Sequence, residues 1–331
     1  MRRQLSSLFC LSRHYIVVII GVLAAAVMLW TSHIQVQYFN DNTLQPTVVR
    51  GVDFPKTLID ATGDELVLLA APERIVSVTL GSDEILTALV DQQRVVGVTD
   101  LVDDARMSNI PYWYPASIQR IRGEVEEILA LQPDLVIVTR YTRAETVRLL
   151  FGSGIPVLRL SGGQTFKDIA ENITIISQVT GTEGRGRQLL AELRAMTQGI
   201  KSLVDSQPRP RVLFYHLDGY TAGEGSTVDE MIRVAGGLNV VREAGIKGSY
   251  KISEEMAIGM EPDVIFVSGN APNTQAAPFD FLKQHPNWQH VPAVQNNRVY
   301  ELQGRWLVSV SQHSWDGIKE IATLLHPEVF E

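Results

Sequence analysis

His216 and Asp218 stand two residues apart, and His285 and His290 follow beside Pro286 and Pro292. Imidazole and carboxylate are donor types for a transition metal, but such a site needs three or four convergent ligands. The two later histidines also lack the one-turn spacing that would set them together on a helix. No metal site is expected, and His216 is read as a ligand contact at a strand exit. Covalent catalysis is poorly supplied. There is no Gly-x-Ser-x-Gly elbow and no phosphate-cradling Gly-rich loop with Lys. The single cysteine, Cys10, precedes an apolar N-terminal segment, so a thiol nucleophile is excluded from the domain that follows. Gly223-x-Gly225 lacks the third glycine of a dinucleotide fingerprint and reads as the approach to a helix capped by Ser226 or Thr227. No catalytic residue and no cofactor are assigned.

What remains are groups suited to holding a ligand. Tyr112-Trp113-Tyr114 lie between Pro111 and Pro115, and three consecutive rings cannot all face one core. In a loop they offer flat walls to a large, partly apolar molecule. Arg140, Arg143 and Arg305 can supply positive charge to an anionic group, Arg140 best of all because it follows a strand directly. Thr79, Tyr141, Tyr220 and Trp306 sit in loops of the same kind, after strands.

A further pattern is duplicated. Glu126 stands a fixed distance before Pro133-Asp134-Leu135-Val136-Ile137-Val138, and Glu255 the same distance before Pro262-Asp263-Val264-Ile265-Phe266-Val267. The separation exceeds any solenoid period, so the repeat marks two similar lobes. Each copy reads as a short helix, a Pro that stops it, and a buried strand.

The elements that must position these residues alternate. In the first half, strands are expected at Ile75–Val78, Val95–Val98, Leu135–Thr139 and Val157–Leu160. Helices are expected at Asp83–Val90, Val125–Leu131 and Ala144–Phe151. Phe166, Ile169, Ile173, Ile176 and Val179 keep helical spacing, as do Leu189, Leu193, Met196, Ile200 and Leu203. The second of these helices, Glu183 to Val204, would run about 33 Å before Pro208 and Pro210 end it. In the second half, strands are expected at Val212–Tyr215, Val264–Ser268 and Val299–Leu302. Helices are expected at Val228–Ala235, Glu254–Met260, Phe279–His285 and Leu307–Leu325. Short apolar strands alternating with amphipathic helices imply parallel sheets covered on both faces. The fold class is α/β: two Rossmann-like lobes with parallel sheets joined by one long connecting helix, with a ligand cleft between them.

The 331 residues carry 45% hydrophobic and 20% charged side chains, a globular balance. A formal net charge of −8 argues against nucleic acid as partner. Arg2, Arg3 and Arg13 precede an apolar run from Tyr15 to Trp30, an export signal either cleaved or kept as an anchor. The expected organisation is signal segment 1–32, polar tether 33–55, N-terminal lobe 56–181, connecting helix 182–207 and C-terminal lobe 208–331. Leu58 to Leu68 reads as a hairpin around a Gly-containing turn.

From about Ile59 to Phe330 the chain resembles the class III substrate-binding proteins of ABC importers for ferric siderophores, cobalamin and haem. The resemblance is carried by Pro72 to Val78, Glu126 to Val138, Thr227 to Ile232 with Ala235 to Asn239, Ser253 to Val267, and Asn297 to Tyr300. It implies two lobes joined by one rigid helix, with ligand between them. It also implies that one glutamate per lobe, here Glu126 and Glu255, docks with arginine pockets on two permease copies in the inner membrane. Arg305-Trp306 resembles the place where cobalamin-type members set an aromatic on the ligand. A monomer is expected, held in the periplasm or tethered to the outer face of the cytoplasmic membrane. The alternatives are a zinc- or manganese-binding transport protein, or an enzyme on a related chelatase-like scaffold.

Overall fold

A computed structural model of the chain describes residues 48–59, 65–160, 162–268 and 278–330. The apolar run, most of the tether and the turn of the first hairpin lie outside these residues. Val48–Arg50 (β1), Lys56–Ile59 (β2) and Glu65–Leu68 (β3) form an antiparallel sheet in which Val48 faces Ile59 and Lys56 faces Leu68. The hairpin expectation therefore holds, but the tether expectation runs too far, because residues 48–50 are a paired strand. Lys56, which carries no signal in its local sequence, is buried. Its Nζ donates to the Gln178 carbonyl at 2.8 Å and pairs with Glu183. The sheet is thereby fastened to the start of the connecting helix.

The N-terminal lobe follows: Ile75–Ser77 (β4), Leu80–Leu89 (α1), Val95–Thr99 (β5), Gln119–Ile121 (β6), Val125–Ala130 (α2), Leu135–Thr139 (β7), Ala144–Gly152 (α3) and Val157–Leu160 (β8). Its five strands are parallel in the order β6-β5-β4-β7-β8. Ile75, Val76 and Leu135 to Val138 are fully buried, as strands covered on both faces require. Strand β6 was not foreseen, because Gln119-Arg120-Ile121 lacks the apolar run of its neighbours and sits at the sheet edge. Helix α1 begins three residues before the expected Asp83. Gly81 and Ser82 read as loop, yet first-turn N–H groups need no intrahelical partner, so those residues are tolerated there.

Phe166–Thr180 (α4) starts with a capping box between Thr165 and Asp168 and stops at Gly181, whose φ of 71° is left-handed. Glu183–Val204 (α5) is the connecting helix over the span the sequence indicated. The C-terminal lobe contains Arg211–Tyr215 (β9), Tyr220–Ala222 (β10), Thr227–Val234 (α6), Leu238–Asn239 (β11), Val240–Glu243 (α7), Ser249–Lys251 (β12), Glu254–Gly259 (α8), Val264–Ser268 (β13), Pro278–Gln284 (α9), Pro292–Gln295 (α10), Val299–Leu302 (β14), Gly304–Val308 (α11), Ser314–Leu325 (α12) and Pro327–Phe330 (α13). Its sheet is parallel in the order β11-β9-β13-β14, and β10 pairs antiparallel with β12 beside it.

The expected helix Leu307–Leu325 is two helices. Residues 309–313 leave the helical path because the Ser309 and Ser311 hydroxyls bond Glu84 of the other lobe. Short hydroxylated side chains readily trade helix for such bonds. The lobes share one apolar core in which Ile85, Leu89 and Ile173 join Phe214, Met231 and Trp315. Phe166 meets Trp315 edge-on, with centroids 4.3 Å apart at 72°. The Trp315 Nε1–H donates to Thr197 on α5, and the Phe166 N–H to Glu230 on α6.

Candidate functional site

In the N-terminal lobe the chain runs outward from β4 in both directions, through β5 to β6 and through β7 to β8. Such a reversal opens a crevice at the carboxyl ends of the strands. Two adjoining pockets occupy that end. One, of about 220 Å³, is lined by Val78, Thr99, Asp100, Leu101, Ile121 and Arg122, together with Gly123, Tyr141, Thr142, Arg143 and Thr146. The other, of about 160 Å³, is lined by Thr79, Gly81, Ser82, Ile85, Thr139, Tyr141, Leu160, Gly162 and Asn172, and by Val310 of the C-terminal lobe. Tyr141 belongs to both and is 65% exposed.

Thr79 caps the approach to α1 and touches Ser82 at 2.7 Å, placing its hydroxyl at the pocket wall. Arg140 donates to the Tyr141 hydroxyl at 2.8 Å and lies 4.8 Å from that ring's centroid. It folds over Gly162, where any Cβ would collide with the guanidinium. In the C-terminal lobe His216 leaves β9 and meets Asp218 at 2.6 Å, and Tyr220 carries Lys251 Nζ 5.6 Å from its centroid. Although its burial opposes ionisation, bonds from His216 and the Tyr220 N–H hold the Asp218 carboxyl below the usual carboxylate range. Arg305 and Trp306 sit on α11, 5.7 Å apart from guanidinium to ring centroid, and the Arg305 Nε is buried with no hydrogen-bond partner among the described residues. Among the described residues, neither Arg140 nor Arg305 has an acidic partner. Arg143 is different: it pairs with Glu124 at 2.6 Å.

The aromatic run is placed elsewhere. Tyr114 is only 3% exposed, and its hydroxyl donates to the Asp83 carbonyl at 2.7 Å, so most of the side chain is packed into the core, with one edge lining the same depression as Tyr112. The Trp113 carbonyl accepts from Gln92, which precedes β5, at the end of the sheet opposite the crevice. Tyr112 lines a separate depression with Asp103 and Arg120 along the β6 edge. Proline flanks indicate a loop but not which end of the sheet the loop covers. Conversely, Arg122 reaches the larger pocket and pairs with Asp100 at 3.3 Å. Its strand was not legible, so its position was not either.

Among the described residues, no three His, Cys, Asp or Glu side chains converge as metal ligands. One buried carboxyl is notable. Asp83 is fully buried, and its Oδ2 accepts from the Thr99 N–H and hydroxyl, with the Ser77 hydroxyl also against the carboxyl. Burial pushes this carboxyl up to about 8.

The duplicated phrase is duplicated in three dimensions. Helices α2 and α8 are each six residues long, and Glu126 and Glu255 are the second residue of each. Both side chains are exposed. Gln132 (φ 48°) and Glu261 (φ 47°) then turn the chain through the left-handed region ahead of Pro. Asp134 accepts the Glu73 and Arg74 N–H groups, and Asp263 accepts the Arg211 N–H at 2.8 Å. Arg74 and Arg211 donate back to the helix ends at Leu131 and Met260. Each Pro-Asp thus locks a short helix to the start of the lobe's central strand, fixing where the glutamate stands. A backbone N–H at the start of α8 and the Ser253 hydroxyl hold Glu255 below the usual carboxylate range.

Comparison with known proteins agrees with this architecture. A family model described as periplasmic binding protein matches residues 75–305. An uncharacterized ABC transporter substrate-binding lipoprotein of Bacillus subtilis is 25% identical over 84% of this chain and 88% of its own length. A cobalamin-binding protein of Halobacterium salinarum is 30% identical over 69% of this chain, and the match spans 62% of that protein. The solved apo structure of a periplasmic heme-binding protein from Roseiflexus sp. RS-1 superposes with a TM-score of 0.66. It has 26% identity and covers 78% of this chain and 99% of its own. With two parallel-sheet lobes, a single connecting helix and a matched model over most of its length, the chain belongs to the periplasmic binding protein family.

Proposed function

We propose that this protein binds a metal chelate or corrinoid outside the inner membrane and delivers it to the permease of an ABC importer. The observation that carries the reading is the pair of exposed glutamates at identical positions of matched helices, one per lobe. A two-subunit permease presents its docking site twice, and a symmetric pair of acidic knobs is complementary to such a partner. Charge pairs of this kind align an encounter and raise its rate more than they add affinity. Support for the ligand class comes from the named relatives, which bind cobalamin and heme. Arg140 and Arg305, which have no acidic partner among the described residues, favour a ligand that brings negative charge. Each is backed by an aromatic ring, an arrangement suited to a large flat ligand.

The deciding experiment is reconstituted import. Glu126→Ala/Glu255→Ala is expected to leave ligand affinity within about twofold while reducing ATP-coupled uptake at least tenfold, since a remote charge change alters docking rather than the pocket. Uptake at the parental rate would reject the docking role. Trp306 fluorescence should be quenched on titration with a ferric siderophore, cobalamin or haem. A flat signal for all three would reject the pocket assignment.

A further inference from the structure

The loop between α11 and α12 crosses from one lobe to the other, and at the crossing stands a buried acid. Glu84, on α1, is fully buried, yet among the described residues it has no cationic partner. Its carboxylate instead collects hydrogen bonds from both lobes. Ser309 Oγ and Ser311 Oγ donate from the C-terminal lobe, the latter at 2.5 Å. The Asn109 N–H (2.7 Å) and Nδ2 (3.1 Å) donate from the N-terminal lobe. Gln312 Nε2 adds a bond to the Glu84 carbonyl at 2.8 Å, and Asn109 Nδ2 also reaches the Arg305 carbonyl at 3.2 Å.

Val310 fills the space between these bonds. A Cβ on Gly81 would lie 2.8 Å from the Val310 carbonyl, and one on Gly163 would collide with Val310 Cγ1. Glycine at both places lets the loop backbone approach the N-terminal lobe this closely.

A buried carboxylate without a cation is tolerable only while its donors stay in place. Parting the lobes would strip Glu84 of both serine hydroxyls at once, and water would have to replace those bonds. We infer that Glu84, Ser309 and Ser311 form an interlobe clasp that fixes α11, and with it Arg305 and Trp306, over the strand ends of the N-terminal lobe. Glu84 is a positioning residue, acting on the ligand through the helix it holds. The clasp is a property of the fold, whereas its effect on ligand rests on the binding function proposed above.

The test measures the lobes directly. The full-length chain carrying Cys10→Ser receives spin labels at Glu145→Cys and Ala244→Cys, exposed positions in the two lobes. Distance distributions are recorded for this parent, for Ser309→Ala/Ser311→Ala and for Glu84→Gln. The parent should give one narrow distribution, and each folded variant a broader one with a longer component. An unchanged distribution in either folded variant overturns the clasp. Should one variant fail to fold by circular dichroism, the other decides. In parallel, dissociation of bound cyanocobalamin or haem should be on the order of tenfold faster in the serine variant, the ratio expected for one net hydrogen bond. Failure of both probes to bind the parent would count against the proposed ligand and leave the distance result standing.

Discussion

Gly163→Ala tests the interlobe seat in energetic terms. Gly163 is buried with φ +61°, and a Cβ there would fall well inside contact distance of Val310 Cγ1. Placing Ala in the left-handed region costs about 1–2 kcal/mol, partly offset by about 0.4–1 kcal/mol from the stiffer unfolded chain. The collision adds an overpacking penalty of roughly 1–3 kcal/mol, because Val310 is short, stiff at χ1 and held by its own backbone. The total loss should be on the order of 2–4 kcal/mol. Val310→Ala alone removes two methyl groups and should cost about 1–2 kcal/mol. The informative quantity is the double variant. Truncating Val310 opens the space that the new Cβ needs, so the two losses should fall short of additivity by about 1–3 kcal/mol. Urea unfolding of the four proteins, with m-values compared to confirm one transition, measures this coupling. Losses that add within about 0.5 kcal/mol would refute the seating of Val310 against Gly163.

Asp83, raised from 3.8 to about 8 by burial, makes folding sensitive to pH. Between those values the folded state binds the proton more tightly than the unfolded chain. Stability therefore falls as pH rises from about 4 and levels off above about 8. Asp83→Asn should match the parent near pH 4 and exceed its Tm at pH 9 by on the order of 5 °C or more; parallel Tm curves would contradict the burial argument. Lys56→Met keeps the buried stem but removes the donor to Gln178 and Glu183. A loss of about 1–3 kcal/mol in urea unfolding is expected, with no change in ligand affinity; a loss under about 0.5 kcal/mol would show that the contact is idle.

Where a structural choice was local, it was legible in the residues. The strands Leu135–Thr139, Val157–Leu160, Val264–Ser268 and Val299–Leu302 announce themselves as apolar runs. Helix Glu183–Val204 is set by its periodicity and by the prolines that follow it. The duplicated Glu…Pro-Asp phrase was legible because both copies obey the same local rule, a helix stop before a buried strand. Edge strand β6 and the β10–β12 pair were missed because three residues carry too little pattern to compete with loop composition.

The composition of the pocket depended on which loops the sheet brings to its carboxyl end. Thr79 and Tyr141 line it, and Arg140 lies beside it over Gly162, because each follows a central strand within two residues. Tyr112 to Tyr114 do not, since their loop travels back toward the opposite end and buries Tyr114 on the way. Glu84 gave no warning, because a glutamate in an amphipathic helix ordinarily points to water. It is buried only because Ser309 and Ser311, far away in sequence, bring hydroxyls to it. Sequence alone determined the two lobes, their connector and the pair of exposed glutamates, all of which follow from periodicity and nearby punctuation. Tertiary structure alone decided which aromatics reach the strand ends of the N-terminal lobe and which side chains bond across the two lobes. Those outcomes depend on contacts between distant segments, for which one chain read in order carries no local signal.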